Sequence, residues 1–203
     1  MSQYVIIGVM GAGEGASPSD VETAFAIGGL IAQEGWVLLG GGRNVGIMDG
    51  ARAPSVQIES DLRSRLLIEH DLFRATGVHL RGSCSSRGAK AAGGLTIGIL
   101  PGDDKRALSA AVDIPILTGM GNARNTINIL SSEVVIACGS GGPGTISEIA
   151  LALKARRPVI LLSPDEYALA LFEKMGGGLV FVANDPAKAI EIAKALLARQ
   201  APT

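Results

Sequence analysis

Short runs of β-branched and aliphatic residues alternate along this chain with Ala/Leu-rich stretches. Several of those runs end directly in glycine. The runs are Tyr4–Val9 (YVIIGV), Trp36–Leu39 (WVLL), Leu95–Leu100 (LTIGIL), Ile114–Leu117 (IPIL), Val134–Cys138 (VVIAC), Pro158–Leu162 and Leu179–Val182. Apolar runs this short, bounded by turn residues, suit strands buried on both faces. Between them the pattern predicts helices over Val21–Glu34, Ala123–Ser132, Thr145–Lys154, a stretch around Glu166–Lys174, and Pro186–Arg199. Asp20 or Ser19 is placed to cap the first, and Pro186 suits the first turn of the last. Repeated β-α units of this kind predict an α/β fold: a doubly wound parallel sheet in three layers, α/β/α, within a single domain.

Composition supports that reading and narrows the partners. Of 203 residues, 47% are hydrophobic but only 3% aromatic, and 28 are glycine. That mix fits aliphatic strands, alanine-rich helices and glycine loops. Lys and Arg number 18 against 19 Asp and Glu, so no global basic field recruits nucleic acid and any anion site must be local. Two cysteines without CxxC spacing fit a reducing compartment. The opening MSQYVIIGVMGAG has no basic n-region and reads as a strand rather than a signal peptide. No apolar run reaches the length of a membrane span. The expectation is a soluble, cytoplasmic protein.

Four glycine-rich segments, 8–15, 40–47, 118–122 and 139–144, follow expected strands. In an open parallel sheet they converge on the carboxyl edge, where ligands bind near the topological switch point. The segment GSGGPGTISE, 139–148, is the most telling. Glycines let backbone N–H groups turn toward an anion, the next helix adds the positive end of its dipole, and Thr145 offers a hydroxyl. Phosphate binding by Gly141, Gly142, Gly144 and Thr145 is the functional reading; a tight strand-to-helix turn is the bland one. No GK[ST] follows, so this is not a Walker loop, and the GxGxxG spacing is incomplete. Glu148 lies one turn beyond Thr145. It suits either general acid/base chemistry and a ligand hydroxyl, or a first-turn carboxylate that complements the dipole.

Arg124, in TGMGNARNT, sits where a cation is unfavourable for the helix dipole, so a bound anion is the natural compensation. Gly121 belongs to the same turn, and Asn122 can cap the helix. Arg43 and Asn44, in GGGRN, stand at the same edge beside Gly41 and Gly42, and Gly11 ends the first strand's loop. Each arginine is otherwise a solvated loop charge. Cys138 ends the central strand, either as a buried structural thiol or near a bound metal group. His70 and His79 are nine residues apart, which matches no metal-ligand motif, so no resident metal is expected. Both lie in Arg52–Ser85, a stretch longer than one β-α connection needs. It reads as an insertion with a moderately amphipathic helix through Ile58, Leu62, Leu66 and Phe73.

Several blocks resemble the molybdenum cofactor (Moco) carrier proteins, a branch of the Lonely Guy and lysine-decarboxylase-like Rossmann superfamily. They are IIGVMG (6–11), GWVLLGGGRNVGIMDGA (35–51), RGAKAAGGLTIGILPG (87–102), AVDIPILTGMGNARNTINILSSEVV (111–135) and GGPGTISEIALALKARRPVILL (141–162). The resemblance implies a Rossmann-like fold and a homo-oligomer, dimer or tetramer. It also implies non-covalent binding and protection of Moco, a pyranopterin with a terminal phosphate and a dithiolene-held molybdenum, for Moco-accepting enzymes. The enzymes of the superfamily instead split nucleoside 5′-monophosphates into base and ribose phosphate, with a signature similar to PGGxGTxxE and an upstream Arg-Lys pair. Gly141, Gly142, Gly144, Thr145 and Glu148 match that signature, and Arg124 matches the catalytic arginine. Ser140 replaces its proline and Asn125 its lysine. The resemblance therefore implies a carrier at the sheet's carboxyl edge, with a phosphoribohydrolase using Arg124 and Glu148 as the alternative.

Overall fold

The computed structural model describes residues 4–11, 18–44, 84–139 and 142–200. Seven strands form one sheet: β1 (Ile6–Gly11), β2 (Val37–Gly40), β3 (Thr96–Leu100), β4 (Ile114–Leu117), β5 (Val134–Cys138), β6 (Val159–Leu162) and β7 (Val180–Ala183). Every neighbouring pair is parallel, in the order β4-β3-β2-β1-β5-β6-β7. The described helices are α1 (Pro18–Gln33), α2 (Cys84–Ala91), α3 (Asn125–Leu130), α4 (Pro143–Lys154), α5 (Glu166–Gly176) and α6 (Pro186–Gln200), with a 3₁₀ turn at Gly121–Arg124. This is the expected doubly wound, Rossmann-like sheet.

The strands sort their side chains with period two, as a sheet buried on both faces requires. Ile7 and Val9 of β1, Ile136 and Cys138 of β5, and Ile160 and Leu162 of β6 pack on one face with α1 and α6. Met10, Val135, Ala137, Val159 and Leu161 pack on the other with Ile129 of α3, Ile149 and Ala152 of α4, and Phe172 of α5. The sheet is thus the middle layer of three.

Several boundaries move from their expected places. β1 runs on to Gly11, which pairs with Cys138 of β5, so both strands deliver their last residues to the same point. α1 begins at Pro18, which places Ser19 and Asp20 inside its first turn rather than at the cap. α4 begins at Pro143, two residues early, so Glu148 lies in the second turn and is not a first-turn carboxylate. The helix expected over Ala123–Ser132 is split: Gly121–Arg124 is a 3₁₀ turn, and the α-helix proper starts at Asn125. Neither piece has a side-chain cap, so Asn122 does not cap it. Cys84 and Ser85, assigned to the insertion, open α2. The amphipathic helix expected within that insertion, with His70 and His79, lies outside the described residues.

α1 and α2 touch backbone to backbone. A Cβ at Gly28 would sit 1.8 Å from the Ser85 carbonyl oxygen, and one at Gly88 1.9 Å from that of Phe25. Glycine at both positions draws α2 against the middle of α1. Alanine in place of a helical glycine ordinarily stabilises by roughly 1 kcal/mol. Here Gly88→Ala is expected to do the reverse, costing about 2 kcal/mol net because backbone must move. A melting temperature about 5 °C lower checks this; an unchanged or higher one contradicts the close packing.

Candidate functional site

The sheet's order reverses between β1 and β5, and the carboxyl ends there open into a cavity of about 410 Å³. It lies at the end of β1, bounded by Val9, Met10, Gly11 and Cys138. From the α3/α4 side come Asn122, Arg124, Asn125, Gly142, Gly144, Thr145 and Glu148. From the α1/α2 side come Asp20, Val21, Ala24, Cys84 and Ser85, while Gly41 and Arg43 enter from the loop after β2. The opening turns of α1, α2 and α4 therefore all meet it, and their dipoles place partial positive charge at its walls.

Arg124 and Glu148 form its charged centre. Nη1 of Arg124 lies 3.6 Å from Oε1 of Glu148; Glu148 is buried and Arg124 is mostly so. The guanidinium rests on Gly41, where a Cβ would come within 3.1 Å of both terminal nitrogens, so the missing side chain makes its bed. Nε and Nη1 of Arg124 are buried without a hydrogen-bond acceptor. Glu148 Oε1 accepts a hydrogen bond of 3.1 Å from Nδ2 of Asn128, which is fully buried in α3. Burial lowers the Arg124 guanidinium from its ordinary value; Glu148 opposes this and the like charge of Arg43 adds to it. Burial raises the Glu148 carboxyl, against the pull of Arg124 and of the Asn128 amide. Glu148 is thus the internal counter-ion of a cation that has donors to spare.

The floor carries sulfur. Cys138 is buried at the end of β5 beside Asp20, whose carboxylate crowds Gly139; a Cβ there would be 2.8 Å from Oδ1. Burial, helped by Asp20 and then Cys84, pushes the Cys138 thiol up to about 12. It stays a neutral thiol at physiological pH and is a poor nucleophile. Neither Cys84 nor Cys138 forms a disulfide among the described residues. Among the described residues, no group of three or more His, Cys, Asp or Glu side chains is placed to hold a metal ion.

The remaining expected residues divide by position. Gly11, Gly41, Arg43, Asn122, Arg124, Gly142, Gly144, Thr145 and Glu148 surround the cavity. Gly42, Asn44 and Gly121 do not line it. Gly42 has φ +67° and lies under β3, where a Cβ would be 2.9 Å from the Gly98 Cα. The Asn44 N–H donates to the Ala107 carbonyl at 2.7 Å, and that of Gly121, at φ +56°, to Pro101 at 2.9 Å. These three shape the loops that carry the arginines. Gly141 and Ser140 lie outside the described residues. Sequence reasoning missed Asn125 and Asn128 as site residues, and placed Asp20 only as a cap. The Arg-Asn step itself was the available signal for Asn125.

Fold and cavity define an open α/β protein with a polar pocket at its switch point, built around a buried arginine–carboxylate pair, and comparison with known proteins narrows the class. The model of the SLOG cluster4 family matches residues 4–57 and 75–190. The chain belongs to that family. It is 45% identical to the molybdenum cofactor binding protein of the phototrophic bacterium Rippkaea orientalis, with a TM-score of 0.76 over 97% of this chain and 99% of that one. The molybdenum cofactor carrier protein of Chlamydomonas reinhardtii is 41% identical, with a TM-score of 0.73 and the same coverage. An uncharacterized protein of Archaeoglobus fulgidus is 38% identical over 161 residues, 78% of this chain and 80% of that one.

Two outcomes test the site's electrostatics. Glu148 competes with a bound anion for Arg124, so anion binding favours the protonated carboxyl. Sulfate, which does not itself titrate in this range, is expected to bind more tightly as pH falls through the raised Glu148 range. Glu148→Gln should tighten sulfate binding about tenfold at pH 8 and flatten its pH dependence; calorimetry reads both. Separately, iodoacetamide at pH 8 should leave Cys138 unmodified in the folded chain and alkylate it after denaturation, as mass spectrometry of the Cys138 peptide would show.

Proposed function

We propose that this chain is a carrier that binds the molybdenum cofactor non-covalently at the carboxyl edge of the sheet and shields it from oxidation. The observation that carries the reading is the buried Arg124 guanidinium, lining a cavity of about 410 Å³ with Nε and Nη1 unmatched by any acceptor. A phosphate or oxo group is the natural complement to such a fork. The likeness to molybdenum cofactor proteins at 41–45% identity over nearly the full chain supports it.

When bound, the cofactor brings a terminal phosphate, a pterin ring system and a dithiolene-held molybdenum. Backbone N–H groups around Gly142 and Gly144 and the Thr145 hydroxyl would take an anionic end, as helix starts do. Gly11 and Gly41 let the ligand approach the strand ends closely. Arg43 and Arg124 neutralise charge, Asn122 offers an amide, and Glu148 holds Arg124 in place. Gly141 belongs to the same loop by sequence, while Gly42, Asn44 and Gly121 support it from outside the cavity. We take residues 1–203 as one domain interrupted at about 52–85, working as a cytoplasmic homo-oligomer, dimer or tetramer, that passes its cargo to Moco-accepting enzymes. No described helix is long and apolar enough to cross a membrane.

One observation favours a second reading. Arg124 and Glu148 stand together at 3.6 Å, which suits a nucleoside 5′-monophosphate phosphoribohydrolase in which the carboxyl stabilises an oxocarbenium-like sugar. In the carrier reading neither residue is catalytic.

Anaerobic calorimetry with Moco separates the two. Saturable binding is expected, with Arg124→Ala weakening it about 30-fold, the loss of one charge-assisted contact of about 2 kcal/mol. No saturable binding by the unaltered chain would sink the carrier reading. Release of free base from a nucleotide panel, abolished by Glu148→Ala, would establish the hydrolase in its place.

A further inference from the structure

Asn125 follows Arg124 directly and opens α3, so the two side chains leave the same turn toward the same cavity. The residue is only 6% exposed. Its amide is oriented by a short chain of hydrogen bonds. Nδ2 donates to Oγ of Ser147 at 3.3 Å, and that hydroxyl donates to the Gly144 carbonyl at 2.7 Å. A serine hydroxyl has one proton. With that proton committed to a carbonyl, which cannot return one, Oγ can only accept from Asn125. The NH₂ group must therefore face Ser147, and a flipped amide would set two acceptors against each other. Oδ1 is left as a buried acceptor with no donor. A native structure rarely keeps such a group without a use for it.

The pair of neighbours thus presents opposite needs side by side. Arg124 has spare donors at Nε and Nη1, and Asn125 has a spare acceptor. A bare oxoanion meets the first need and cannot meet the second, because a fully ionised oxoanion carries no proton to donate. A ligand that bears an N–H or O–H group close to its anionic group meets both.

We infer that Asn125 is a specificity-determining residue: its Oδ1 accepts a hydrogen bond from an N–H or O–H group of the ligand, next to the anion held by Arg124. This rests on the reading that the cavity holds a phosphorylated small molecule, and it adds which such molecules are favoured. Simple anions bind weakly, and anions carried on a hydrogen-bond-donating framework, as a pterin or a ribose provides, bind well. Ser147 acts as a positioning residue that holds the amide in its reading orientation.

The test uses the full chain and two probes, sulfate as the bare oxoanion and metal-free molybdopterin under anaerobic conditions, read by calorimetry and pterin fluorescence. In Asn125→Leu, molybdopterin affinity is expected to fall about tenfold while sulfate affinity moves less than twofold. Ser147→Ala frees the amide and should give a smaller loss of the same selective kind. Asn125→Lys exchanges the acceptor for a cation, and should raise sulfate affinity while lowering the molybdopterin-to-sulfate ratio; a merely structural role would move the two ligands alike and leave the ratio unchanged. Equal losses for both probes, or no loss for either, overturn the inference. If the unaltered chain binds sulfate but not molybdopterin, the carrier reading fails. The same variants are then titrated with adenosine 5′-monophosphate, where an unchanged nucleotide-to-sulfate ratio overturns the role of Asn125 as well.

Discussion

The reversal of strand order between β1 and β5 is the constraint on which the site depends. In an all-parallel sheet every connection must cross back over a face, so the helices that follow strands begin at the carboxyl edge. At the reversal, the chain leaves β1 toward one side of the sheet and leaves β5 toward the other. Among the described residues, the space between the two departures is open. Gly11 and Cys138, paired as the last residues of their strands, mark its floor, and the first turns of α1, α2 and α4 face one another across it. Three helix starts around one gap give positive potential before any side chain is added.

The side chains then convert a diffuse potential into a defined centre. A Cβ at Gly41 would press on the Arg124 guanidinium at 3.1 Å, so the bare backbone there leaves room for it. It can be buried there because Glu148 comes within 3.6 Å from a different helix, and Glu148 is held in turn by Asn128. The second-turn position of Glu148 in α4 matters for this. A carboxylate in the first turn would have served the helix's own N–H groups; one turn deeper, it serves the arginine. Arg43 adds a second positive charge that Glu148 does not neutralise. Asp20 sets a second carboxylate on the same wall, so the pull on an anionic guest comes from the helix starts and the spare donors of Arg124 rather than from net charge.

The sheet was legible from sequence because its signals are local. Aliphatic runs of strand length, glycine at their ends and alanine-rich stretches between them leave few alternatives. What was not legible came from contacts between distant segments. Gly42 reads like its neighbours as a phosphate-loop glycine, yet its place is decided by Gly98 of β3, which it meets almost atom to atom. Asp20 reads as a cap because its type and position suit one, and the start of α1 at Pro18 moves it to the cavity wall instead. Arg124 reads from sequence as a cation at a costly place, but the 3₁₀ turn that presents it has no marker in GNAR. Asn125 was visible only as a missing lysine. Its value as an acceptor depends on Ser147 and Gly144, more than a dozen residues along, and no pattern within α3 could reveal that.

A carrier must do something an enzyme site need not: hold its cargo intact and then give it up. A buried guanidinium alone would favour holding, since leaving it bare after release costs a large desolvation penalty. The Arg124–Glu148 pair changes that balance. In the proposed carrier, a bound anion would compete with Glu148 and favour its protonated form, which burial already favours. When the anion leaves, the carboxyl can ionise and take over as counter-ion without any movement of backbone, because it already stands at 3.6 Å and is already tied to Asn128. The released state is thereby stabilised relative to a bare arginine, and affinity is tempered. The same residues that would drive bond cleavage in a hydrolase therefore suit exchange of an unbroken cargo, and the presence of the pair does not by itself argue for chemistry. What differs from the hydrolase signature is the residue that follows the arginine: in this chain the amide of Asn125 stands where that signature has a lysine.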